Sequence, residues 1–506
     1  MIQRPILSPF FIAALLLLLG SCTMLGPDFQ TPEAEVPEEW SRQDSELFKK
    51  PSKDESITWW SRFNDPVLDK LVQTAFAQNL SLRSAALRIM EARAQLGLVK
   101  GELFPQVQEA SGDLSTIGTT GPSENRSYKG VSAGFDAAWE MDFWGKFRRG
   151  IESADANLLS SMADYDDILV SLTAEVARIY INICILEERI RLGHKNIKIQ
   201  QKGLQLVKYQ FEAGIVSELD ILQAKTLLTS TQASIPNLQA TLFNSKHALA
   251  LLLGLLPNDI QNILAKTDKI PTIESDIVVA IPAELLRRRP DIRRAEMRTA
   301  AQSAQIGIAR TELFPSFTLF GSVGWSANDN GNNELGDIFN SNSFFYSFGP
   351  AFRWNLFNYG RLKNQVRIQD ARLQQLVTEY QNTVLDAARE VEDSMTGYIY
   401  AKREAEFIRQ GVTSSKQSME LAMLQYEEGF IDYQRVLDST RSLTQKQDQY
   451  AQLRGKIVTN VIALYKALGG GWQIRDGKEY LPSEVKEQME DRTDWGNLLN
   501  EPLPVK

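Results

Sequence analysis

The chain has 506 residues and carries 55 Lys and Arg against 63 Asp and Glu. It is long enough for two or three ordinary domains, and its mild acidity argues against nucleic acid as a partner, because phosphate binding needs a basic face. Two histidines (His194, His247) and two distant cysteines (Cys22, Cys184) offer no metal cluster and no nucleophile–base set, so no cofactor, metal or catalytic residue is expected.

Residues 1–21 read as an export signal, with Arg4 as the positive start and Phe10 to Leu19 as the apolar run. That run is too short to span a bilayer as a helix. It ends in Leu19-Gly20-Ser21-Cys22, which resembles a bacterial lipobox; the resemblance implies that Cys22 is lipidated and becomes the new N-terminus. Thr23, in place of Asp, favours the outer membrane by resemblance to lipoprotein sorting rules. Residues 22–60 are expected to run extended. No later stretch reads as a transmembrane helix, so a crossing has to be made as a barrel.

The remainder is an internal duplication. Gln95-Leu96-Gly97-Leu98 and Glu102-Leu103-Phe104-Pro105 recur at an offset of 210 as Gln305-Ile306-Gly307-Ile308 and Glu312-Leu313-Phe314-Pro315. From Trp139/Trp354 the offset is 215 and persists through Tyr165/Tyr380, Glu175-Val176/Glu390-Val391 and Leu253-Gly254/Leu468-Gly469. Two repeats follow, residues 61–270 and 271–472, with a tail at 473–506 to which no role is assigned.

Each repeat has the same order. A helix, 290–313 in the second copy, is expected to run to Pro105 or Pro315, since proline does not continue a helix interior. Paired strands follow, near 106–118 and 128–143, then near 316–326 and 343–357. Val131, Ala133, Phe135, Ala137 and Trp139 alternate with Ser132, Gly134, Asp136, Ala138 and Glu140; Phe344, Tyr346, Phe348 and Phe352 alternate with Ser347, Gly349 and Arg353. Period two with bulky apolar outer positions is the pattern of membrane barrels. A soluble β-sandwich also alternates, but two hairpins are too few to close, and an open edge in lipid leaves backbone groups unpaired. Three chains of four strands each, twelve in all, are a natural solution.

Long helices at 146–213 and 361–428 come next. Leu158, Met162, Tyr165, Leu169, Leu172, Val176, Ile179, Ile183, Leu186 and Ile190 step by four and three, a heptad seam repeated at Leu373, Val377, Tyr380, Val384, Ala387 and Val391. Such a helix is about 100 Å long, beyond any single globular core. The chain turns at Gly214 and Gly429 and returns along 217–254 and 432–468. Each return arm, stacked end to end with the helix before the strands, makes a second wall element.

With Cys22, Gly26-Pro27-Asp28-Phe29, Trp59-Trp60, Arg288-Arg289-Pro290-Asp291-Ile292 and Tyr465-Lys466-Ala467-Leu468-Gly469-Gly470-Gly471-Trp472, the chain resembles the TolC-type outer-membrane efflux proteins, in their NodT/OprM-like lipoprotein branch. The resemblance covers nearly the whole mature chain. It implies a mixed α/β membrane protein: a homotrimer whose twelve-stranded β-barrel sits in outer-membrane lipids and continues into a long α-helical barrel. It further implies a periplasmic adaptor and an inner-membrane RND-type pump as partners, with drugs or other small molecules as cargo. A duct for type I protein secretion is the alternative. By the same resemblance the periplasmic gate falls at Asp220, Asp438 and Arg441, and the hairpin tips at Gly214 and Gly429 dock the adaptor. Arg435 stands where some relatives carry a second aspartate. The basic run at Arg287 to Arg294 reads as a helix start, Pro290 at its first turn, and Gly469-Gly470-Gly471 as a helix stop.

Overall fold

The computed structural model describes residues 23–36, 40–41, 48–49, 58–120, 125–264, 270–272, 277–278, 288–329 and 334–504. The export signal and Cys22 lie outside the described residues. Eight α-helices and four long strands are found among the described ones: α1 (Pro66–Gln78), α2 (Leu80–Gly101), β1 (Val107–Thr120), β2 (Asn125–Glu140), α3 (Lys146–Glu212), α4 (Glu218–Leu252), α5 (Pro290–Thr311), β3 (Ser316–Asn328), β4 (Phe344–Arg353), α6 (Arg361–Glu427), α7 (Tyr433–Ala467) and α8 (Ser483–Glu490). The duplication is literal. Both α3 and α6 have 67 residues, both α4 and α7 have 35, and both α2 and α5 have 22.

The strands form one antiparallel sheet in the order β1-β2-β3-β4. The helices are ranked in the same order, α2 and α4 beside α3, α3 beside α5 and α7, and these beside α6. Each edge strand therefore continues into an edge helix, β1 from α2 and β4 into α6. The seam positions of α3 are its core, with Leu169, Val176 and Ile183 fully buried. One 18-residue window of α3 is apolar enough to cross a membrane by composition, against the expectation of no such stretch; 72% of that window is buried among the other helices.

End-to-end stacking is made by two matched splices. In the first copy Asn79 Nδ2 donates to the Leu252 carbonyl at 2.8 Å, joining the end of α4 to the start of α2. In the second, Arg289 Nη1 donates to the Ala467 carbonyl at 2.7 Å, joining α7 to α5. Arg289 is held by Asp291 (3.0 and 2.8 Å) and Glu390 (2.9 Å). The described part of the basic run is used here too, Arg294 binding Asp164 and Asp167, each at 2.7 Å; Arg287 lies outside the described residues. Glycine is required at both stops. A Cβ on Gly254 (φ +68°) would lie 2.5 Å from the Gln78 carbonyl oxygen, and one on Gly469 (φ +69°) 3.0 Å from the Arg289 side chain.

Several boundaries differ from the sequence reading. Helices α2 and α5 stop at Gly101 and Thr311, a few residues before rather than at Pro105 and Pro315. Strand β4 ends at Arg353, short of 357, because its partner strand begins at Ser316, opposite Arg353; beyond it Trp354 donates its indole N–H to the Leu313 carbonyl at 3.1 Å, and Tyr359 (φ 49°) enters the turn into α6. Trp139 makes the matching bond to Leu103 at 3.2 Å, so the two Trp–Leu pairs tie strand ends to helix ends in both copies. Pro236 lies inside α4.

The tail is part of the core. Leu481, Met489 and Leu499 are buried, and Arg93 donates to the Glu501 carbonyl at 2.8 Å and to that of Leu498. Arg475 clasps buried Asp166 at 2.5 and 3.0 Å. Beside it Trp59 stacks on Tyr465, ring centroids 5.7 Å apart. The segment at the other terminus lies along the wall, Thr31 donating to Glu296 at 2.7 Å and Gln381 to the Glu33 carbonyl at 3.1 Å.

Arg289→Ala removes the splice and leaves Asp291 and Glu390 without their cation, a loss of about 3 kcal/mol by the cost of breaking a largely buried ion pair. Asn79→Ala removes a neutral splice and a helix cap, about 1 kcal/mol. Thermal melting of the detergent-solubilised protein, followed by tryptophan fluorescence, should show the larger drop for Arg289→Ala. Equal drops would contradict the assignment.

Candidate functional site

Two regions of the wall carry the candidate functional side chains, the sheet and the hairpin tips. Directly paired residues on an antiparallel sheet share a face. On one face Phe135 pairs with Val323 and Val323 with Tyr346, while Trp325 pairs with Phe344 and Phe317 with Phe352. Leu114, Tyr346, Phe348 and Phe352 there are exposed within the chain, a far larger apolar surface than a soluble protein leaves open. The other face carries Glu109, Asp113, Asp136, Glu140, Ser132, Ser322, Ser326 and Arg353. Phe320 and Phe345 interrupt it, each ring end lying over a glycine of the next strand, Gly349 and Gly324. The outer edges of β1 and β4 have no partner strand among the described residues.

At the other end of the long helices the chain reverses at Gly214 (φ +73°) and Gly429 (φ +79°). A Cβ at either would meet nothing within 4 Å, so their demand is purely conformational. Helix α4 starts with a capping box in which the Ser217 hydroxyl and amide both donate to Asp220 Oδ2, at 2.8 and 3.0 Å. Asp432 caps α7 in the same place, accepting from the Arg435 amide at 3.3 Å. Beneath the turns Val207, Ala224, Tyr426, Tyr433, Val436 and Leu437 form a separate apolar cluster. Burial, with the Asp220 charge adding to it, pushes the Tyr426 hydroxyl up to about 12. Burial does the same for Tyr433, helped by Tyr426 and Asp220, so both rings stay neutral.

Asp438 and Arg441 stand one turn apart on the exposed face of α7, Oδ1 to Nη1 3.6 Å, with side chains about half exposed at 58% and 49%. Gln434 donates to the same carboxylate at 3.1 Å. Asp220 is on the other return helix and bonds to neither. An ion pair so open is worth less than about 1 kcal/mol. Deeper along the wall, Arg189 and Asp448 pair through two hydrogen bonds of 2.6 and 3.1 Å, linking α3 to α7. A groove of about 410 Å³ lies there, lined by Arg189, Asn196, Ser230, Ser234, Arg441 and Asp448. The Arg189–Asp448 pair gave no sequence signal, because its partners lie 259 residues apart and neither recurs in the other copy.

At the foot of the sheet Leu25 donates its amide to the Trp144 carbonyl at 3.0 Å. Arg149, 2% exposed, holds the Leu25 carbonyl at 3.1 Å and Asp28 at 2.8 Å. Gly26 (φ +96°) packs so close that a Cβ would lie 2.5 Å from Gly307 Cα. The Gly-Pro-Asp-Phe motif thus pins the chain, four residues after Cys22, to the sheet's rim. Among the described residues no group of acidic, His or Cys side chains is placed to hold a metal.

An amphipathic four-stranded sheet continuous with a helical wall of about 100 Å defines a subunit of an outer-membrane channel. The family model for outer membrane efflux proteins matches twice, at residues 71–255 and 281–470, one match per repeat. The chain belongs to the outer membrane efflux protein family. It is 30% identical to Nodulation protein T of Rhizobium leguminosarum bv. trifolii, over 92% of this chain and 97% of that protein. It is 32% identical to the pyoverdine export outer membrane protein OpmQ of Pseudomonas putida, over 82% and 88%. Among solved structures, the outer-membrane channel OprN superposes with a TM-score of 0.83 at 30% identity, covering 89% of this chain and all of OprN; CusC superposes at 0.77 and 27%, covering 88% of this chain and all of CusC. The chain is an outer-membrane efflux channel of the kind that serves tripartite efflux systems, a passive duct and not an enzyme.

Gly214→Ala and Gly429→Ala each force an L side chain into left-handed backbone, at a cost of about 1 kcal/mol. Limited proteolysis should nick the tips several-fold faster while hydrogen exchange in the sheet is unchanged. A slowed sheet or an unaffected tip would show that the turns are not conformationally demanding.

Proposed function

We propose that three copies of this chain close side by side into one tube: a twelve-stranded barrel in the outer membrane above an α-helical barrel in the periplasm. The carrying observation is that the open edges of the sheet and of the helical wall coincide. Strand β1 with α2 and α4 ends the wall on one side, and β4 with α6 ends it on the other. Joining one edge to the other satisfies the backbone of both edge strands and covers Leu219 and Leu222 of α4 and Leu385, Phe407 and Leu421 of α6, all exposed in the single chain. The apolar face meets lipid, and the polar face lines the passage.

Cargo, drugs or other small molecules, enters from an inner-membrane RND-type pump through a periplasmic adaptor that engages the tips at Gly214 and Gly429. Cys22 carries the lipid anchor. The gate is formed by Asp220, Asp438 and Arg441, where rings of charge on the return helices narrow the passage and weak, half-exposed ion pairs lock it. Links below about 1 kcal/mol each suit a gate that a docking adaptor rearranges.

Planar-bilayer recordings of wild type and of Asp438→Ala with Arg441→Ala test this reading. The double variant should conduct several-fold better at rest. An unchanged resting conductance would remove the gate from these residues, and no conductance in either would remove the duct.

A further inference from the structure

The face of α3 that the terminal segments cover continues below them as bare cationic surface. Residues seven apart share a face in this packing. Along one such line Asp166 is clasped by Arg475, Thr173 lies against Gly471, and Tyr180 donates to Asp65 at 2.7 Å. The next residues in line are Glu187 and His194, beyond the reach of the tail. Around them Arg191, Lys195, Lys198 and Lys202 are exposed. Glu188 is taken by Arg191 and Glu187 by Lys246 at 2.8 Å, and no described carboxylate pairs with Lys195, Lys198 or Lys202. Beside the stripe, between α3 and α4, lies a groove of about 620 Å³ with Ile190, Leu242 and Phe243 as its floor and Arg191, Lys195 and Lys198 on its rim.

The duplication supplies the control. At the offset of 215 the second copy has Glu406, Gln410, Thr413 and Gln417 where the first has Arg191, Lys195, Lys198 and Lys202. The same helix is built in both copies, so the fold does not require these cations. Nor is this the gate face: Arg189, Leu192 and Asn196, which border the groove with Arg441, lie on the opposite side of α3.

We propose that this groove is a docking site on the outer wall of the tube for an acidic amphipathic helix of a periplasmic partner, one per chain. Carboxylates would meet the lysine rim and an apolar ridge would fill the floor; the floor is what favours a helix over a simple polyanion. The inference rests on the three-chain duct, since a passage free of the terminal segments puts the covered face outside. Each closed tube then offers three such sites and not six.

The test uses the full-length protein in detergent and a fluorescein-labelled synthetic helix of about five turns, with leucines on one stripe and glutamates elsewhere. Saturable binding of one helix per chain, weakened by salt, is expected. Lys195→Glu with Lys198→Glu should weaken it at least about tenfold, and so should Phe243→Ala, while Gln410→Glu with Thr413→Glu should leave it unchanged. No saturable binding to wild type overturns the proposal. So does polyglutamate of equal charge binding as tightly as the helix, which would mark a plain polyanion site. Single-channel conductance is recorded in parallel: normal conductance in the lysine variant shows an intact fold, and absent conductance in wild type would fail the duct reading separately from the groove.

Discussion

Strands Val107–Thr120 and Phe344–Arg353 each leave one row of backbone N–H and C=O groups without a partner strand among the described residues. In water such an edge is a hazard, and in hydrocarbon each unmet group costs several kcal/mol. The rest of the architecture answers that constraint. Tyr346, Phe348 and Phe352 can face lipid only if the sheet closes, and four strands close only with strands from other copies. The helical wall inherits the same edges, so one closure seals both the membrane-spanning and the periplasmic parts.

Duplication makes the long wall affordable. A single 67-residue helix is matched by a 35-residue and a 22-residue helix laid end to end, and the junction must neutralise one helix's last carbonyls at the next helix's start. The first copy does this with Asn79 and the second with Arg289, whose longer side chain also reaches Asp291 and Glu390. The motifs that carry the family resemblance are therefore structural. Arg289-Pro290-Asp291, Trp59-Trp60 and Tyr465 with Gly469 and Gly471 all meet at the mid-wall splice and its collar, far along the helices from the hairpin tips.

Much of this was legible in the sequence because period carries it. Alternation gave both hairpins, the four-three seam gave α3 and α6, and the repeated Gly214 and Gly429 gave the reversals. What the sequence does not show depends on partners distant in the chain. The tail's role needed Arg93 and Asp166 to be seen against Glu501 and Arg475. Boundaries moved where the neighbouring strand runs out, as at Arg353, which pairs with Ser316, the first residue of β3 after Pro315. At the tips the sequence named Asp438 and Arg441, which do meet, and Asp220, whose carboxylate is engaged in capping its own helix. Charge without a fold requirement, as on Lys195 and Lys198, is visible only when the two copies are compared.

Closure by several chains is the claim on which every other one stands, and the mass of the particle tests it most directly. Light scattering of the purified protein, corrected for bound detergent, should give three times the mass of one mature chain, a little below three times the 57.0 kDa of the full 506 residues. A stable, folded particle with the mass of a single chain would contradict it.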